Sequence, residues 1–569
     1  MVWLSRSAHA VRAFKYTFWL VCCKDPPPPM PTLMSTETRL NRLYWVVVCM
    51  LLLTHAVLVW QSRPAAIEPA SNDDAQYVLL ARSLRSFHYR DFHIPGAPIH
   101  AQYPPVYPAL IAAGTAVFGE HLGVVQVVTL LCSLLALLLV FDIARRLASP
   151  LVGVLLLAPL AFNAHLIGYA SRIASEMPYM AFSFAALWIL VAFPESRRPL
   201  LWSCILAILA ALTRSIGLSL VVAMLALLLV QRRFKPAAIF TVAAALTVGA
   251  WLYWTTVSPN QFTERSYTAV ATTTGRRIPP GALSLLVVRT TRFLKTYVAK
   301  NITAGLEFPT VAGTSIDNVG WIVLIFGLGA VGLWSVRKRL PLLPLYVLSF
   351  MGLLLVYPFK LTRFFMPLAP LVLLAIFLGA IALTRRWKPA VGAAVIVLLS
   401  CAILTSSVPR SLVLAKQLDY CDRSAALTSP QCWRPATNAF LAAVRRANEV
   451  LPKDAVVLTI KEAAFNYYTG RKVYHPDLAY KKAGKNMLAF LSRSGINYAL
   501  VSAYVGGAEF SPLLAPACQR IEVLGHYEPR TALLQIHPEG ESVPVASNAC
   551  QLLQDWTRHP DPTTEVDED

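Results

Sequence analysis

The chain has 569 residues, 56% of them hydrophobic and 14% charged, with mean hydropathy +0.54 and formal net charge +21. Its apolar runs approach the ~20 residues that cross a bilayer, which excludes an ordinary soluble enzyme. The Lys and Arg fall mostly in brief loops between those runs, as in cytoplasmic loops of polytopic proteins, so the charge argues against nucleic acid as a partner.

Residues 1–33 fit poorly with the rest of the chain. A short apolar piece at 16–23 is followed by prolines at 26–29, too short and too broken to span. Translation from Met30 or Met34 suits the pattern better than a signal peptide, since no small-residue cleavage site comes after the apolar piece. Residues 1–43 then read as an N-terminal cytoplasmic segment. From there the pattern predicts about eleven spans, roughly 44–60, 122–143, 151–170, 178–194, 199–213, 215–231, 236–256, 318–335, 341–358, 364–384 and 389–406. With the N-terminus cytoplasmic, Arg145-Arg146, Arg197-Arg198, Arg232-Arg233-Lys235, Arg337-Lys338-Arg339 and Arg385-Arg386-Lys388 all fall inside.

The hydrophilic regions 61–121, 257–317 and everything after about 407 then face outward. In the first, 74–87 reads as an interfacial helix, with Tyr77, Leu80, Leu84 and Phe87 on one face and Arg82 and Arg85 on another. The adjoining YPPVYPALIAAGTAVFG (103–119) is apolar but short and proline-led. Counting it as a span would invert every later loop, so it is expected on the outer surface or tucked into the bundle. In the tail, AVVLTI (455–460) and NYALVS (497–502) read as buried strands, and NAFLAAVRRANEVL (438–451) and NMLAFLSRSG (486–495) as helices. The expected fold class is a polytopic α-helical membrane protein, its transmembrane domain over 44–406 and an exported α/β domain over 407–569. Cys421, Cys432, Cys518 and Cys550 lie in that tail; of the three possible pairings, proximity favours Cys421–Cys432 and Cys518–Cys550. No cysteine spacing resembles a zinc site.

The polar residues at the outer edge of the bundle are the candidates for chemistry. Ser71-Asn72-Asp73-Asp74 opens the first interfacial helix. Capping by Asn72 or Asp73, with Asp74 in the first turn, is the plain explanation. One such residue suffices for a cap, however, and a carboxylate here could act as a general base on an acceptor. Glu176, in SRIASEMPYMAF (171–182), sits at the outer mouth, where an ionisable group is either functional or paired, the obvious partner being Arg172 at i−4. Lys360 and Arg363 in YPFKLTRFFMPLAP (357–370) and Arg214 in LTRSIG (212–217) break the positive-inside pattern beside apolar spans, and a phosphate at the mouth would satisfy them. Arg276, Arg277, Arg289, Arg292 and Lys295 in the second outer loop read as lipid-headgroup contacts. Carboxylates and guanidinium groups at one mouth suit displacement of a sugar from a lipid phosphate, in which the leaving phosphate is held by cations and the acceptor needs one base.

NDDAQYVLLARSL (72–84), YPPVYPALIA (103–112), FDIARRL (141–147), SRIASEMPY (171–179), LTRSIG (212–217) and KLTRFFMPLAPLVLL (360–374) occur in this order. Together they resemble the membrane-embedded glycosyltransferases of the GT-C superfamily, in the branch of the protein O-mannosyltransferases and aminoarabinose transferases with its bacterial, polyprenyl-phosphate-sugar-dependent members. The resemblance covers about 40–405, and the α/β tail is similar to the exported domain often appended to such proteins. It implies an inverting transfer from a polyprenyl-phosphate sugar to a glycan, lipid or protein acceptor on the outer face of the cytoplasmic membrane. Asp73 would be the catalytic base, in a chain with Asp73-Asp74 where relatives often carry Asp-Glu. Glu176 would orient the acceptor or hold a divalent metal. Tyr77, Tyr103 and Tyr107 are expected at the substrate. The family's metal-binding histidine has no clear counterpart; His100 and His165 are candidates by location alone, and no metal is assigned. A transporter or flippase of a lipid-linked saccharide would also explain a basic outer mouth and many spans, though not the acidic interfacial helix, the large exported tail or the lack of an internal repeat. A receptor-like protein whose tail does the work would leave the polar membrane-edge motifs unexplained.

Overall fold

The computed structural model describes residues 36–194, 198–257, 287–309 except 289 and 292, 315–356, 361–385, 389–417, 421, 427–476, 487–502, 511–538 except 513, and 548–558. The chain divides into two units, Met1–Val46 and Val47–Asp569. Of the first, only the start of the helix Thr36–Ser62 is described, so the reading of 1–33 lies outside the described residues.

The second unit is mostly helical. In lipid every backbone N–H and C=O must be satisfied within its own segment, and runs of Leu, Ala and Val satisfy them as helices. Among the described residues, Asn41–Ser62, Leu122–Leu147, Phe234–Thr256 and Ala390–Lys416 are long and apolar enough to cross a bilayer. Shorter apolar helices are Val106–Phe118, Glu176–Ala192, Arg198–Ala211, Ser215–Val230, Gly320–Val336, Leu342–Leu355 and Ala369–Thr384. The helices Gly320–Val336 and Ala369–Thr384 approach so closely that a Cβ at Gly332 would collide with the Ala375 carbonyl, and one at Gly379 with the Leu328 carbonyl. Small residues allow such close backbone approach between apolar helices.

The helix over the expected span 389–406 runs on to Lys416, past the expected boundary at 407, and the expected span 151–170 is broken. Residues 151–170 form two helices, Pro150–Ala161 and Ala164–Ser171, bent by 65°. Asn163 caps the second, its Oδ1 accepting from Leu166 N at 2.9 Å, while its Nδ2 donates to Gly305 O at 3.0 Å. Ala164 N donates to Glu307 Oε1 at 3.1 Å. Of the backbone N–H groups freed by the break, Leu166 N is thus satisfied by the cap and Ala164 N by a distant segment, as burial requires.

The first interfacial helix spans Asn72–Arg85, ending short of the expected 87. Phe87 lies beyond it with φ 57° and is 96% exposed, so it does not join Tyr77 and Leu80 on the buried face. Val106–Phe118 packs between this helix and Leu122–Leu147, burying Tyr107, Pro108, Ile111 and Thr115. At the far end of Leu122–Leu147, Asp142 accepts from Arg145 Nε and Arg146 Nε, each at 2.6 Å, and from Trp188 Nε1 at 2.8 Å. Arg339 Nη1 donates to Leu147 O at 3.2 Å. Two predicted basic clusters therefore meet at one end. Trp188 stands on the helix that begins at Glu176, about 18 Å of helix from that residue.

The tail contains a five-stranded sheet of β1 (Val456–Thr459), β2 (Lys472–Tyr474), β3 (Ile496–Val501), β4 (Ile521–Tyr527) and β5 (Thr531–Ile536). The order is β2-β1-β3-β5-β4, with β1 parallel to β2 and β3, and β5 antiparallel to β3 and β4. The expected strands are β1 and β3, and the expected helices are Pro435–Val450 and Met487–Arg493. Cys421 is bonded to Cys432 and Cys518 to Cys550. The tail does not stand apart from the segment 67–111. One core holds Ile67, Ala75, Tyr77, Leu80 and Tyr107 together with Phe440, Val457, Phe465 and Leu533.

Candidate active site at the bundle mouth

Successive residues of a helix point about 100° apart, and at the start of Asn72–Arg85 three neighbours take three directions. The Asn72 side-chain oxygen accepts from Ala463 N at 3.1 Å and Ala464 N at 3.3 Å, in the tail. Asp74 is 3% exposed. Its Oδ1 accepts from Ser71 Oγ at 2.8 Å and its Oδ2 from Ile173 N at 3.5 Å. Burial pushes the Asp74 carboxyl up to about 7, against the pull of Arg172. Asp73 lies between them with its side chain 23% exposed, accepting at Oδ1 from the Tyr103 hydroxyl and at Oδ2 from Arg363 Nη2 at 2.9 Å.

Arg363 stands on the single turn Thr362–Phe365, anchored by the buried Phe364 and Phe365. Its Nε donates to Glu176 Oε1. The same oxygen receives Arg214 Nη1 at 2.5 Å. Glu176 is fully buried, so two cations compensate a carboxylate that would be costly alone. The expected pair with Arg172 is not what forms: Arg172 reaches Glu68 Oε2 at 3.5 Å. The result is a chain of alternating charge, Asp73, Arg363, Glu176, Arg214, with no net charge.

Arg214 is aimed by a tight turn. Thr213 N and Arg214 N both donate to Ala210 O at 3.1 Å, and the chain folds back so that a Cβ at Gly217 would lie 2.6 Å from Ala210 C and O. Val106 N donates to Leu212 O at 3.0 Å, tying the proline-led motif to this turn. Arg214 Nη1 also donates to Ser175 Oγ at 3.1 Å, and the Tyr77 hydroxyl donates to the same oxygen at 2.9 Å.

Tyr77, Tyr103, Ser175, Arg214, Arg363 and Phe364 line one pocket of about 390 Å³, open mouth included. Tyr77 packs against Tyr103 at 4.9 Å and Tyr107 at 4.8 Å between ring centroids. Tyr107, expected at the substrate, does not reach the pocket. It is fully buried behind Tyr77, with its hydroxyl 2.8 Å from Thr129 Oγ1. Lys360, Arg276, Arg277, Arg289 and Arg292 lie outside the described residues, as does the Lys295 side chain.

His100 holds Tyr103 in place. Its Nε2 accepts from Tyr103 N at 2.8 Å, its Nδ1 lies 2.8 Å from Asp91 Oδ1, and the two rings stack at 5.5 Å. Asp91 is fixed in turn by Gln76 Nε2 at 2.8 Å. His165 is half-buried on Ala164–Ser171. His100 has no ring nitrogen to offer a divalent metal, since both are committed, and Glu176 presents only Oε2, a buried oxygen with no hydrogen-bond partner among the described residues, its Oε1 already facing two cations. Among the described residues no group of three or more His, Cys, Asp or Glu is placed to hold a metal ion. Ser175, Asp91 and the tail contact of Asn72 were not singled out in the sequence. Ser175 stands beside Glu176 in its motif, but nothing local announces the other two.

Residues 102–254 match the family model described as dolichyl-phosphate-mannose-protein mannosyltransferase. The structure is similar to that of ArnT from Cupriavidus metallidurans in the apo state, with TM-score 0.55 at 13% identity over 88% of this chain and 98% of that one. The chain has the GT-C fold. The same protein bound to undecaprenyl phosphate superposes with TM-score 0.52, again at 13% identity over 88% and 98% of the two chains. No curated protein matches the chain by sequence. On this GT-C fold the matched segment carries Tyr103, Glu176 and Arg214, while Arg363 joins Tyr103 and Arg214 in the pocket from outside it and brings Asp73 by a hydrogen bond.

Proposed function

We propose that the chain is an inverting glycosyltransferase that moves a sugar from a polyprenyl-phosphate donor to an envelope acceptor, at the outer face of a bacterial cytoplasmic membrane. One observation carries this reading: a partly exposed carboxylate, Asp73, is bonded to Arg363, which together with Arg214 lines a pocket at the bundle mouth. The family-model match and the fold shared with a protein that binds undecaprenyl phosphate support the donor class. The orientation is supported by the basic clusters at the end remote from Glu176, which the positive-inside rule assigns to the cytoplasm with the N-terminus.

In this reading Arg214 and Arg363, with Lys360 beside them in sequence, bind the donor phosphate, and Glu176 holds the two arginines in place. Tyr77 and Tyr103 form the wall against which the sugar sits. The acceptor X–H attacks the anomeric carbon from the face opposite the phosphate. The C1–X bond forms as the C1–O bond to phosphate breaks, the electron pair leaves with the phosphate, and the proton passes to Asp73. Arg363 must then turn from Asp73 to the phosphate, which frees Asp73 Oδ2 for the acceptor. A positioned base of this kind contributes on the order of 10²–10⁴-fold, and the fixed cations stabilise the charge that develops on the leaving phosphate.

The test is a transfer assay on purified protein in detergent, with an envelope extract and undecaprenyl phosphate carrying labelled mannose, glucose or aminoarabinose. Label should pass to the extract for one of these donors. A protein that moves label only across an intact vesicle membrane, and never onto an acceptor, is a transporter instead.

A further inference from the structure

Asn72 is the one polar residue of the acidic run that points into the tail. The amides it caps, Ala463 N and Ala464 N, lie in the first turn of the helix Glu462–Thr469. That helix has no side-chain cap of its own, since Lys461 at its N-cap position makes no such bond. Its cap comes from 391 residues earlier in the chain. Lys461 instead donates through Nζ to Ala70 O at 2.6 Å, and the Tyr468 hydroxyl donates to Ile67 O. Ala463, Ala464 and Phe465 are fully buried in the same core as Ala75 and Tyr77. The segment leading into Asp73 is therefore attached to one short tail helix at residues 67, 70 and 72.

On the other side of Asp73 the anchor is different. Asp74 is tied to the transmembrane bundle through Ile173 N. Ser71, at the N-cap of the helix Asn72–Arg85, makes no side-chain cap bond to it. Without the tail contact, the backbone leading into Asp73 would lose its anchor ahead of the helix, and uncapped helix ends fray.

We propose that Asn72 is a positioning residue for Asp73, acting through the tail helix Glu462–Thr469, so that the exported domain sets the place of the base. The proposal rests on the glycosyl transfer argued above. Neighbouring Cα atoms are 3.8 Å apart, so a shift at Asn72 is passed to Asp73 with little loss. A misplacement of about 1 Å at a reacting group costs on the order of 10²-fold in rate. Arg214 and Arg363 are both held by the buried Glu176, so phosphate binding should be spared.

The experiment uses the full chain and its Asn72→Ala, Asn72→Asp and Lys461→Met variants. Asn72→Ala should lower kcat for transfer by about 10- to 100-fold while Kd for undecaprenyl phosphate stays within about twofold. Lys461→Met should lower kcat in the same sense. Asn72→Asp keeps the acceptor oxygen and should restore most of kcat. The proposal is overturned if kcat is unchanged in both Asn72→Ala and Lys461→Met. It is equally overturned if kcat and phosphate binding fall in step with the amount of folded protein, the mark of a structural role alone. Absence of transfer by the unsubstituted protein would overturn the glycosyl-transfer reading, and this proposal with it.

Discussion

Arg363 donates to Asp73 Oδ2 at 2.9 Å while its Nε rests on Glu176. The residue proposed to receive the donor phosphate is thus bound, before donor arrives, to the residue proposed to take the acceptor proton. With Oδ2 held by the guanidinium that oxygen is not open to the acceptor proton, so donor binding is what uncovers it. Transfer should then be ordered, with donor first: initial-rate patterns should show acceptor binding only to the donor complex. Arg363→Ala should raise Kd for undecaprenyl phosphate by about tenfold or more, in line with the loss of a charge-assisted contact; an unchanged Kd would remove its phosphate role.

Glu176 is a matter of stability before chemistry. Glu176→Gln leaves Arg214 and Arg363 together without their shared buried counter-ion. Breaking a buried pair of this kind costs about 3–5 kcal/mol. The variant should unfold at clearly lower temperature in a detergent thermal-shift measurement, and far more so than Arg172→Gln, which removes the more exposed pair with Glu68.

Asp74 should show itself in the pH dependence of stability. Its folded-state value, about 7, lies above the ordinary carboxyl value of 3.8 because of burial. A raised value means that folding favours the protonated form. The stability it contributes is complete below about pH 4 and is lost as pH rises through about 7. Between pH 5 and pH 8 the unsubstituted protein should therefore lose more thermal stability than Asp74→Asn. Parallel pH curves for the two would contradict this.

Gly217 carries the turn that aims Arg214. Gly217→Ala places a Cβ 2.6 Å from Ala210 C and O, and relieving such an overlap costs about 1–3 kcal/mol. The relief moves the turn 212–217. Weaker undecaprenyl phosphate binding with an unshifted pH–rate profile is the expected outcome, because Asp73 lies on a different element.

Most of the helices were legible, since an apolar run near bilayer length has few other uses. The bend at Asn163 was not, because the groups that stabilise it come from Gly305 and Glu307, far along the chain. The pair β4–β5 escaped for a different reason: Glu522, Gly525 and His526 interrupt its apolar pattern. At the site, polar residues in apolar surroundings marked Asp73, Glu176, Arg214 and Arg363 individually. Their pairing could not be read, because local spacing offers Glu176 the nearby Arg172, whereas its actual partners lie 38 and 187 positions away. Which of Asp73 and Asp74 meets Arg363 depends on a helix rotation of about 100° per residue, a quantity that only the docked helix defines.

The most direct measurement is transfer of labelled sugar from undecaprenyl phosphate by the full chain and by its Asp73→Asn and Asp74→Asn variants, each shown to be folded and to bind undecaprenyl phosphate. Asp73→Asn should lower the rate by about 10²–10⁴-fold, while Asp74→Asn should keep it within about tenfold of the unsubstituted protein. Full transfer by Asp73→Asn would contradict the assignment of Asp73 as the base.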